Sequence, residues 1–168
     1  MVSNLVLGTY STGCRASGPG SSLFEISVTA TTLQFTNILY DDGACAQPRV
    51  KFYYEDTYID VAESTAQTGA RDINITMGKI FRTLLSASAV TLSNGGTECG
   101  FSDWALNVAK DVSASACQDI PVNTLTYTIA RTANDQFEIG MPDPSDLTPG
   151  STENLRITNF IPIIFNKQ

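Results

Sequence analysis

The chain has four cysteines and no histidine, and these set the limits of its chemistry. Cys14, Cys45, Cys99 and Cys117 are widely spaced, with no C-x-x-C pair. A zinc ribbon or a thioredoxin-type redox motif is therefore unsupported. The even number fits two disulfides and an oxidising compartment; the other reading is four reduced thiols packed as small hydrophobes. All three pairings are open. Cys14–Cys45 and Cys99–Cys117 are favoured because each closes a short local loop, adding roughly 3–4 kcal/mol apiece on the chain-entropy model. The absence of histidine removes Ser-His-Asp and Cys-His catalysis, His-ligated zinc and the usual physiological-pH switch.

Carboxylates remain as candidate catalysts: Glu25, Asp41, Asp42, Glu55, Asp56 and Asp60. Glycoside hydrolysis needs two carboxyls about 5–10 Å apart across a groove, and no spacing here fixes such a pair. Asp41-Asp42-Gly43 reads as a turn and the others as solvated loop charge. The expectation is a protein that is not an enzyme. Asp143-Pro144-Ser145-Asp146 offers oxygen ligands for calcium, at a spacing unlike an EF-hand loop. Asn74-Ile75-Thr76 fits a glycosylation acceptor but lies inside a strand pattern. Neither a metal nor a cofactor is expected.

Aromatic side chains are the better candidates for a binding role. In Phe52-Tyr53-Tyr54 with Tyr58, alternation sends Phe52, Tyr54 and Tyr58 to one face and Tyr53 to the other. On the inner face of a barrel, Phe52 and Tyr54, with Phe35 from a neighbouring strand, would line a ligand cavity. The competing reading is ordinary strand composition. Trp104 would either line a ligand pocket or a partner surface, or pack with Val108 and Val112, four residues apart, as the buried face of a helix.

Those residues sit in segments with period-two alternation, the mark of half-buried strands. The strands run from Leu5 to Tyr10, Phe24 to Val28, Leu33 to Asn37, Arg49 to Asp60, Asp72 to Leu85, Ala87 to Leu92, Thr124 to Arg131, Gln136 to Gly140 and Leu155 to Lys167. Ile73, Ile75 and Met77 share a face. Turns fall at Ala30-Thr31, Asp41-Asp42-Gly43, Asn94-Gly95-Gly96 and Asn134-Asp135. Arg15 to Ser22, Glu63 to Gly69 and Met141 to Thr152 read as loops. The one expected helix runs from Ser102, a good N-cap, to Asp111.

Composition places the elements in one domain, residues 1–168, large enough to bury a core. Hydrophobic content is 42% and charged content 16%, the reverse of a disordered chain. The net charge of −7, with no basic cluster among ten Lys and Arg, argues against nucleic acid. No stretch approaches the roughly 18–20 apolar residues of a membrane span. No signal peptide is visible at Met1, so export predicts a leader already removed.

Gly8-Thr9-Tyr10, then Cys14, then Tyr40-Asp41-Asp42-Gly43-Ala44-Cys45 resemble the opening of small secreted bacterial lipocalin-like (calycin-type) β-barrel proteins, with Tyr10 standing where their Gly-x-Trp motif has tryptophan. Phe137-Glu138-Ile139-Gly140, a polar loop and a final strand carrying Arg156 are similar to their C-terminal third. The resemblance implies an antiparallel up-and-down barrel of about eight to nine strands, its closed end plugged by Tyr10. It also implies that Arg156 packs over Tyr10 in a cation–π contact of roughly 0.5–2 kcal/mol.

The resulting expectation is mainly β: a lipocalin-like barrel with one short helix near 102–111, secreted or periplasmic and non-catalytic. It would carry a small apolar or amphipathic ligand, with Phe35, Phe52, Tyr54 and Trp104 as candidate contacts. The alternative is a surface, adhesion or inhibitor-type domain that meets a protein partner through Arg15–Ser22 and Met141–Thr152.

Overall fold

Alternation becomes sheet wherever its apolar half can face inward. The computed structural model describes residues 5–115, 117, 121–141 and 150–168. The strands are β1 (Gly8–Ser17), β2 (Gly20–Val28), β3 (Thr32–Tyr40), β4 (Pro48–Glu63), β5 (Arg71–Leu84), β6 (Ala109–Asp111), β7 (Leu125–Ala133), β8 (Gln136–Ile139) and β9 (Phe165–Lys167); one helix, α1, spans Ala87–Gly95. Every strand pairing is antiparallel. β1 to β5 pair in sequence, β5 pairs β7, β7 pairs β8, β8 pairs β9, and β9 returns to β1, closing an eight-strand barrel. β6 stays outside the ring, beside Phe81–Thr83 of β5, whereas β7 covers Arg71–Thr76 of the same strand. The β7–β8 hairpin turns on Asn134 and Asp135, with φ of 53° and 59°. A tight hairpin of this hand needs positive φ at both central residues, which Asn and Asp tolerate.

Two apolar clusters pack the two ends of the interior. At one end Tyr10, Ile26, Leu33, Tyr58, Ile73, Phe137 and Phe165 close the barrel. Tyr10 is fully buried, its ring 5.6 Å from Phe137, and its hydroxyl donates to the Val6 carbonyl. Toward the other end Val50, Ile80, Leu84, Ala89, Trp104 and Val112 form a second cluster. Both disulfides join the favoured partners, Cys14–Cys45 and Cys99–Cys117, with Cα separations of 5.9 and 5.0 Å.

Four expectations need correction. The helix is α1, not Ser102–Asp111, and it occupies the segment whose alternation suggests a strand. Ser86 caps it, accepting the Ala89 N–H on its side chain. The 102–111 segment is instead pinned along β5. Asn94 clamps both backbone groups of Trp104, Asn107 N–H donates to Leu84 and Val112 N–H donates to Ile80. Val108 is exposed, so the spacing of four never forms one buried face.

Arg15–Ser22 is not a loop but the tip of the β1–β2 hairpin, with Arg15 opposite Ser22 and the turn at Gly18-Pro19. The last strand is only Phe165–Lys167; a 3₁₀ turn at Glu153–Leu155 and an irregular stretch containing Pro162, which has no N–H for a ladder, precede it. The Tyr10–Arg156 contact does not form. Arg156 follows the 3₁₀ turn, lies over Tyr127 at 5.4 Å, and donates to the Ile73 and Thr128 carbonyls and Asn74 Oδ1. These acceptors on β5 and β7 hold its guanidinium away from the plug that Tyr10 makes with Phe137. The calcium candidate at 143–146, and most of the Met141–Thr152 loop, lie outside the described residues.

Candidate ligand cavity

The inner face of β4 reads Val50, Phe52, Tyr54, Asp56, Tyr58, Asp60 at every second residue. That row spans the barrel from one apolar cluster to the other, and between them the interior is open. The cavity measures about 340 Å³ and is walled by Phe24 of β2, Phe35 of β3, Ile75 and Met77 of β5, and Ile161 and Ile163 before β9. Phe165, at the closed end, also contributes. Polar groups reach it from Thr36, Asn37, Tyr54, Asp56 and Thr126.

Asp56 owes its place to a bulge. Glu55 pairs with Lys79 and Thr57 with Thr76, so one residue of β4 faces two of β5, Met77 and Gly78. The Gly78 N–H, freed from the ladder, donates to Asp56 Oδ1 at 2.8 Å. A Cβ at Gly78 would lie 1.5 Å from the Glu55 carbonyl oxygen, so this approach demands glycine.

Asp56 is 4% exposed. Burial raises its carboxyl from 3.8 to about 6, against the smaller opposing pull of the Gly78 hydrogen bond. It is the only carboxylate among the described lining residues. The reading of these acids as solvated loop charge fails for both Asp56 and Asp60, which are buried strand residues. Asp60 is paired with Arg71 at 2.7 Å.

The four predicted contacts divide. Phe35 and Tyr54 line the cavity together. Phe52 and Trp104 instead enclose Arg82, whose guanidinium lies 5.2 Å from the first ring and 5.6 Å from the second. Arg82 faces Phe52 directly across β4 and β5 and is ion-paired to Glu98 at 2.7 Å. Trp104 Nε1 donates to the Glu98 carbonyl, and the Cys99–Cys117 bridge ties down the same turn. Phe52 and Trp104 are thus walls of a charge cage. Tyr53 faces outward beside Phe81, as alternation requires.

Phe24, Met77, Ile161 and Ile163 escaped the sequence reading. The signal for Asp56 was present: it shares the face of Phe52, Tyr54 and Tyr58, where a carboxylate is out of place. The chain matches no protein-family model, and no curated protein is significantly similar to it.

Proposed function

We propose that this chain is a non-catalytic binding module that carries a small apolar or amphipathic molecule inside a lipocalin-like barrel. The observation behind this reading is the cavity itself. It is lined by aromatic and aliphatic side chains from at least three strands, and barrels of this strand number hold one small ligand at most. The two disulfides support an oxidising location, secreted or periplasmic. No described helix is long and apolar enough to cross a membrane.

Titration calorimetry with n-octanol, a neutral amphiphile, tests the proposal. One-site binding with a negative heat-capacity change is expected. Met77→Trp, which fills the cavity, should abolish it. Absence of binding to the folded wild type, or binding that survives Met77→Trp unchanged, would overturn the interior site.

A further inference from the structure

Asp56 is a buried carboxylate with no cation beside it. Seven of the chain's ten lysines and arginines form ion pairs, each with a carboxylate other than Asp56. Of the rest, Arg15 and Lys167 are exposed and Lys51 lies over Tyr53 on the outer surface. The residues outside the described set include no lysine, arginine or histidine. The chain therefore has no positive side chain left to give.

Nor does the bulge need the charge. An asparagine amide oxygen at position 56 would still accept the Gly78 N–H. Burying an unpaired charge is costly, and it is relieved by an opposite charge or by protonation. Among the described lining residues, the other polar side chains are hydroxyls and the Asn37 amide, whose buried Oδ1 has no partner and is a second acceptor.

Resting on the reading of the barrel as a carrier, we propose that its cargo bears an amine, held as an ammonium against Asp56 while the apolar body fills the space between Phe24, Phe35, Met77 and Ile163. No covalent step is involved. With Asp56 only 4% exposed, the ion pair would be partly shielded from bulk water, which strengthens it.

The charged and titratable groups around Asp56 leave its titration to dominate. On β4 these are Tyr54, Tyr58 and Asp60, the last bound to Arg71 of β5. On β5 the others are Arg82, bound to Glu98, Lys79, whose side chain is exposed beside Asp111, and Asp72, beside Arg156. β2, β3, β7 and β9 add none among the described lining residues.

Titration calorimetry of n-octylamine, n-octanol and n-octanoate against the folded wild-type protein separates this inference from the carrier reading. The amine should bind on the order of ten to a hundred times more tightly than the alcohol, and the carboxylate more weakly than either. With Asp56 titrating at about 6, lowering the pH from about 7.5 to about 5 should weaken the amine about tenfold and leave the alcohol unchanged. Asp56→Asn, checked for native circular dichroism, should reduce the amine to the level of the alcohol. Equal binding of amine and alcohol by the wild type would overturn the ammonium site while leaving the carrier standing. Failure of all three probes would overturn both.

Discussion

Arg82 and Asp56, two of the buried charges of this barrel, lie on adjacent strands and are housed in opposite ways. Arg82 is 8% exposed and nearly surrounded: Glu98 pairs with it, Phe52 and Trp104 offer their ring faces, and Cys99 Sγ lies 3.6 Å from Nη1. Asp56 is as deeply buried, yet it has one backbone N–H and an apolar space before it. The first charge organises its surroundings, since the second apolar cluster packs around it. The second charge opposes the fold that contains it. A buried ion whose counter-ion is supplied by the chain belongs to the architecture; one without it is a cost that the fold carries.

The sharpest way to break the comparison is at the bulge that presents Asp56. Gly78→Ala puts a methyl into the Glu55 carbonyl, and neither strand can retreat without breaking the ladder. A loss of about 3–5 kcal/mol in chemical denaturation, or failure to fold, is expected. Arg82→Met should remove about 2–3 kcal/mol, because the cage loses both its ion pair and its cation–π contacts. If Arg82→Met were neutral, Arg82 would be as dispensable to the fold as Asp56, and the contrast would fail.

Asp56→Asn should act in the other direction, raising stability at pH 7 by about 2–3 kcal/mol. The sign follows from the raised carboxyl. Its penalty is full above about 6 and fades as the pH falls toward the ordinary value of 3.8, so lowering the pH through that window stabilises the wild type. The asparagine variant lacks this term, and the two stabilities should converge near pH 4.

The smallest effect is expected from Glu98→Gln. Burial pushes the Glu98 carboxyl up, but hydrogen bonds from Ser93 and Arg82 and the charge of Arg82 outweigh it and leave the group below its ordinary value. Its contribution is thus present above that ordinary value and lost as the pH falls through the lowered one, the reverse of Asp56. Because Glu98 is partly exposed and screened, the variant should lose under about 1 kcal/mol at neutral pH. Thermal melts should show the Asp56→Asn difference from wild type fading as the pH falls from about 6 toward 3.8, and the Glu98→Gln difference holding down to the ordinary value of 4.5 and fading only below it.

What could be read from the sequence was local or periodic. The disulfide pairs were legible because each closes a short loop, and the antiparallel strands because period-two alternation recurs along the chain; the lipocalin-like barrel was what the resemblance implied. The helix was misread through two coincidences. Trp104, Val108 and Val112 keep helical spacing without sharing a face, and Ala87–Leu92 alternates while Ser86 caps it as a helix. The Tyr10–Arg156 contact came from resemblance rather than from residues, and the residues around Arg156 found other partners. The cavity was half visible, in Phe35 and Tyr54. Its other walls come from Ile161 and Ile163, more than a hundred residues away, and no local pattern brings them to Phe35. The bulge left only one trace, a lone glycine in a strand, which by itself does not say which carboxylate it faces.

β9 has a consequence for how fast the interior can exchange its contents. Three residues close a ring of eight strands, with two residue pairs to β1 and two to β8. Local opening costs least where the fewest contacts must be undone. Phe165 in this strand both caps the closed end and lines the cavity, so fraying of β9 unseals the floor while the disulfide-held cage around Arg82 stays shut. The residence time of anything inside is then tied to the breathing of this short seam rather than to the strength of the barrel as a whole.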